Sequence, residues 1–78
     1  MNIYRQPFRA ICPKNARSVD YLLTIESPRL IMVEEIQEAV ADLKGYHEEF
    51  ADHLWQLFGG RQTLVAQHHG TDVETVRP

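Results

Sequence analysis

Seventy-eight residues, 44% of them hydrophobic and 24% charged, specify an ordinary globular chain with room for one core, so a single domain over residues 1–78 is expected. Eight Lys plus Arg against eleven Asp plus Glu give a net charge of −3 with no basic run, which disfavours nucleic acid as a partner. The longest purely apolar run, Leu30 to Val33, is far short of a membrane span, and the segment Met1 to Arg5 lacks a signal-peptide stretch, so no membrane partner is expected and the expected compartment is the cytoplasm.

The first element, Ile3 to Cys12, is rich in β-branched and aromatic residues, with Phe8, Ala10 and Cys12 on one side and Arg9 and Ile11 on the other. Pro7 cannot donate to a ladder and places this strand at or near a sheet edge. Pro13 to Ser18 is a turn. Beyond it, Val19, Tyr21, Leu23 and Ile25 alternate with Asp20, Leu22, Thr24 and Glu26, the clearest strand signal in the chain.

Ser27-Pro28 turns the chain into a helical pattern in which Val33, Ile36, Val40 and Leu43 share a face. Glu34, Glu35 and Glu38 crowd its first turns, where carboxylates suit the positive end of the helix dipole. Gly45 interrupts the pattern. A second helix places Phe50, Leu54, Leu57 and Phe58 at helical spacing and stops at Gly59-Gly60. Gln62–Ala66 and Val73–Val76 read as two short strands joined by His68-His69-Gly70-Thr71-Asp72.

The fold class is therefore α+β: a four-stranded antiparallel sheet with two helices on one face, in the order ββααββ. Two helices between two strand pairs cover only one face, and the edge near Pro7 and the face carrying Leu22 need cover. A homo-oligomer that pairs edges or stacks sheets is expected.

Cys12, the one cysteine, has no second thiol for an internal disulfide or a Cys-x-x-Cys site, so any role must come from its surroundings. The element order, together with Cys12-Pro13, Asp20, Met32-Val33-Glu34-Glu35, Tyr46-His47-Glu48 and His69-Gly70-Thr71-Asp72, resembles the tunnelling-fold superfamily of GTP cyclohydrolase I, 6-pyruvoyltetrahydropterin synthase and dihydroneopterin aldolase. Within it the pattern is most similar to the NADPH-dependent nitrile reductase that converts 7-cyano-7-deazaguanine to the aminomethyl base in queuosine biosynthesis. Tyr46-His47-Glu48 is the most specific fragment.

That resemblance implies a small purine- or pterin-like ligand, Cys12 as nucleophile, Asp20 as proton donor, and Glu34 or Glu35 with His47 and Glu48 as the groups that bind and orient the base. NADPH is implied if the chain is a true nitrile reductase. The chemistry is consistent with that set. A thiolate attacks the nitrile carbon while an acid protonates the developing nitrogen anion, and a carboxylate accepts the adjacent N–H donors of a guanine-like edge. Sites of this superfamily are completed by a neighbouring subunit.

Each residue also has a structural use. Cys12 can be a small buried hydrophobe and Asp20 can close the preceding turn. Glu34 and Glu35 can be helix-start residues, and Glu48 can cap the second helix. Some superfamily members bind zinc through His and Cys, but no metal site is expected here. His47 and His53 lie on opposite sides of a helix, and His68 and His69 diverge if extended. An alternative function class is a non-catalytic module presenting Glu34, Glu35, Glu38, Asp42, Glu48, Glu49 and Asp52 to a basic partner.

Overall fold

Alternation dominates the first third of the chain, and the computed structural model, which describes residues 1–78, turns it into a long hairpin of β1 (Asn2–Ile11) and β2 (Ser18–Ser27). The two strands pair from Asn2↔Ser27 to Ile11↔Ser18, and the turn continues the ladder, with the Cys12 amide donating to the Arg17 carbonyl at 2.9 Å. Two helices follow, α1 (Val33–Ala41) and α2 (His47–Phe58), and then β3 (Arg61–His68) and β4 (Thr71–Arg77). The sheet order is β1-β2-β3-β4, antiparallel throughout. This is the α+β arrangement expected from the sequence. Pro7 lies on an edge strand, where a missing donor costs no ladder bond.

The core forms where the inner face of the sheet meets the apolar stripes of both helices. Val19, Tyr21, Leu23 and Ile25 from β2 and Leu64 and Ala66 from β3 meet Ile36 and Val40 of α1 and Phe50, Ala51, Leu54 and Phe58 of α2. Leu23, Ile25, Leu54 and Leu64 are sealed from solvent, each worth roughly 1.5–3 kcal/mol relative to exposure. Val33 and Leu57, expected on the apolar stripes, are half exposed, because each sits at the margin of its helix face. α1 also ends at Ala41, so Leu43 packs against the core from the connection rather than from the helix.

The C-terminal end of α2 is closed by side chains. Buried Gln62 donates from Nε2 to the Leu54 and Gly59 carbonyls at 3.0 and 2.8 Å, and Arg29 donates to the Phe58 carbonyl at 2.9 Å. The Phe58 carbonyl is one that the helix leaves unpaired, and the guanidinium suits the negative end of the dipole. At the other end of α2, the Tyr46 amide donates to Glu49 Oε1 at 2.8 Å. The capping carboxylate is thus Glu49 rather than Glu48.

The last hairpin is tighter than its composition implies. β3 runs on to His68 and β4 begins at Thr71, leaving only His69 and Gly70 in the turn, with φ of 52° and 92°. Positive φ at both positions is what a two-residue turn requires to match strand twist, and histidine tolerates it better than most non-glycine residues.

Both helices lie on one face. The opposite face carries Ile3, Pro7, Ile11, Leu22 and Val76 exposed among the ion pairs Arg9–Asp20 and Arg61–Glu26. Gly60 marks a close approach: a Cβ there would stand 2.5 Å from the Glu26 carbonyl oxygen, at φ +70°. Gly60→Ala is expected to destabilise the fold by about 2–4 kcal/mol, against a smaller loss for Gly59→Ala, whose Cβ would meet open space. Urea denaturation of the two variants checks this order.

Candidate active site

The strand directions give the molecule two unlike ends. One holds the start of β1, the end of β2, the start of α1 and the end of α2; the Ile31 amide donates to the Tyr4 hydroxyl there at 3.0 Å. The other holds the two hairpin turns, the end of α1 and the start of α2, tied to β1 by a bridge between Ile11 and Lys44.

The second end carries Cys12, Asp20, His47 and Glu48. Cys12 follows Ala10 on the helix side of the sheet, half-buried against the core, with its carbonyl accepting from the Ala16 amide at 2.9 Å. His47 opens α2 and is only 7% exposed. Its Nδ1 lies 3.3 Å from Nε2 of His68, and its ring centroid is 5.6 Å from that of Tyr21. Tyr21 is the hub: Phe8 stacks on it at 4.9 Å, and Phe50 and His68 meet it edge-on at 5.4 and 6.0 Å. Glu48, beside His47 in the first turn of α2, faces solvent.

Burial, and after it the negative charge that Cys12 acquires as a thiolate, pushes the Tyr21 phenol up. Burial and then the His68 charge push His47 down, with Arg77 adding to them; the Leu64 carbonyl and Glu48 act the other way. Nε2 of His47 is buried without a hydrogen-bond partner. The end of the sheet thus holds a thiol, a phenol and two imidazoles around one aromatic cluster. Next to it, between the β1–β2 turn and the α1–α2 connection, lies an open groove of about 550 Å³, walled by Ala10, Ile11, Pro13 and Leu43 and edged by Asp42 and Lys44.

The remaining candidates stand apart. Asp20 shares this end but points to the opposite face of β2, where Arg9, its register partner, holds it at 2.8 Å. That hydrogen bond, reinforced by the guanidinium charge, lowers the Asp20 carboxyl below its ordinary range, so proton donation requires it first to leave Arg9. Glu34 and Glu35 are exposed in the first turn of α1, at the far end. The strand from Tyr4 to Cys12 spans about 26 Å, so neither glutamate reaches Cys12 within the chain. Glu38, Asp42 and Glu49 are likewise exposed, and Asp52 is tied to Arg77 at 2.9 Å. No three His, Cys, Asp or Glu side chains converge in metal-binding geometry.

Alternation alone reaches one residue that the local composition hides. Leu64 and Ala66 face the helices, and the next residue in phase is His68; read as part of a loop, it loses that phase.

No family model matches the sequence, and no characterised protein matches it at the sequence level. Among solved structures, the apo form of the archaeosine synthase QueF-Like superposes with a TM-score of 0.69 at 19% identity, over 97% of this chain and 89% of that one. The chain has the tunnelling fold. At that identity the likeness concerns the fold alone, and the cluster around Tyr21 sets one end of the chain apart chemically. No helix is long and apolar enough to cross a membrane.

The groove by itself does not fit NADPH. Of the two cations lining the groove, Arg9 is occupied by Asp20, which leaves Lys44 alone. A dinucleotide with several phosphate charges calls for convergent cations, and this groove offers one free lysine.

The depressed His47 makes acid sensitivity testable. Its unfolded ring binds a proton near the ordinary value of 6.5, and its folded ring only at lower pH, so between those values the unfolded state holds more protons. The stabilisation is complete above about 6.5 and is lost as pH falls from there toward the lowered native value. Thermal denaturation is therefore expected to show a midpoint that falls between pH 7 and 5, and less steeply in His47→Phe. Parallel pH dependences in the two proteins contradict the assignment.

Proposed function

We propose that this chain is a tunnelling-fold protein of the cytoplasm that binds a purine- or pterin-like heterocycle, of the deazaguanine class, in sites shared between the subunits of a homo-oligomer. Cys12 is the nucleophile. His47 and Glu48 orient the base from the same subunit, and Glu34 or Glu35 accepts the N–H edge from a neighbouring one. The observation that carries this reading is the placement of Cys12 at the end of the molecule where buried His47 and Tyr21 and half-buried His68 form one aromatic cluster. The fold likeness to a protein described as an archaeosine synthase supports the same ligand class.

The chemistry is addition of the thiol across a nitrile. The sulfur of Cys12 bonds to the nitrile carbon, one C–N π bond breaks, and the thiol proton ends on nitrogen, giving a thioimide with no reductant consumed. Asp20 can deliver a proton only from the far face of β2, after release from Arg9. The oligomer supplies what one chain lacks. β1 and β4 are both unpaired edges and run antiparallel to each other, so one subunit's β4 can extend its sheet with the next subunit's β1; that pairing leaves each Glu34 and Glu35 at the end opposite Cys12, and the glutamate comes from a subunit stacked end to end on this one. That pairing also gathers the uncovered sheet faces into one interior.

Mixing the protein with 7-cyano-7-deazaguanine and recording intact mass is the test. A single adduct of the ligand's mass is expected on the wild type and none on Cys12→Ala, with sedimentation giving an assembly of several chains. A monomer with no adduct and equal ligand binding by both proteins would falsify this assignment.

A further inference from the structure

β3 ends on a histidine that the chemistry above leaves unused. His68 is half-buried on the helix side of the sheet, with Nε2 3.3 Å from Nδ1 of His47 and the two ring centroids 5.4 Å apart. A hydrogen bond between two imidazoles needs one N–H and one lone pair, so the contact is satisfied by a single proton. A second proton there sets donor against donor and charge against charge.

His47 is poorly placed to take that second proton. It is nearly sealed from water, and its Nε2 makes no close hydrogen bond. Tyr21 faces it from β2, His68 from β3 and the Arg77 charge from β4, while Glu48 lies beside it on α2. Only Glu48 and the Leu64 carbonyl favour a charged ring, and burial with His68 and Arg77 outweighs them.

We propose that His68 is a positioning residue: by sharing one proton with His47 across the 3.3 Å contact, it holds the His47 ring uncharged and in place at the end of the molecule that carries Cys12. It thereby sets the acid limit of the reaction of Cys12 with a nitrile, and this rests on the role given to Cys12 above. Thiol addition takes a proton from sulfur and places one on nitrogen. A second proton on the histidine pair breaks the 3.3 Å contact that fixes the His47 ring and puts a positive charge at this end of the molecule, so adduct formation falls as the pair charges.

The experiment follows adduct formation with 7-cyano-7-deazaguanine by mass across pH 5 to 8, and the His47 ring titration by NMR, in wild type, His68→Gln and His68→Phe. Without the neighbouring imidazole, His47 is expected to titrate higher by about half a pH unit or more, and the acid limb of adduct formation to move up with it. A His47 midpoint and an acid limb that stay in place in both variants overturn the proposal. If the wild type forms no adduct, the role of Cys12 fails, and the His47 midpoint alone decides for or against His68.

Discussion

A two-helix layer can cover only one face of a four-stranded sheet, and this constraint governs the rest of the molecule. Ile36 and Val40 of α1 and Phe50, Leu54 and Phe58 of α2 bury the inner face of β2 and β3. The outer face and the edges β1 and β4 remain open. Both helices begin and end between β2 and β3, so α1 runs toward the hairpin turns and α2 runs back. The N-terminal carboxylates of α1 are thereby sent to one end of the subunit and His47 to the other.

That arrangement explains why the candidate residues do not form a complete site in one chain. Cys12 and His47 share an end and a face. Asp20 shares the end but not the face, held there by Arg9, and Glu34 and Glu35 share neither. A chain built this way divides the candidate residues between two ends and leaves two edge strands unpaired. The same packing makes the Tyr21 cluster a low-polarity setting in which a buried imidazole stays uncharged near neutral pH.

Much of this was legible in the sequence because period-two alternation is strong where one sheet face is buried. Val19 to Ile25 gave β2, Phe8, Ala10 and Cys12 gave the inner side of β1, and Pro7 gave the edge. The opposite facing of Cys12 and Asp20 was latent in those patterns, since Asp20 is out of phase with Val19 and Tyr21, while Cys12 is in phase with Ala10. Other features depend on long-range geometry that no local pattern carries. The separation of Glu34 and Glu35 from Cys12 follows from the direction in which α1 crosses the sheet. The His47–His68 contact joins residues twenty-one apart, and it needed the two-residue turn at His69-Gly70, where a non-glycine residue takes positive φ, to bring His68 into the strand.

The central claim is that Cys12 opens into a heterocycle site completed by a second subunit. A crystal structure of the assembly soaked with 7-cyano-7-deazaguanine tests it most directly. The expected result is continuous density from Sγ of Cys12 to the nitrile carbon, with His47 beside the base and a glutamate of α1 from another subunit on its N–H edge. Ligand bound elsewhere, with Cys12 unmodified and shut beneath the α1–α2 connection, would contradict it.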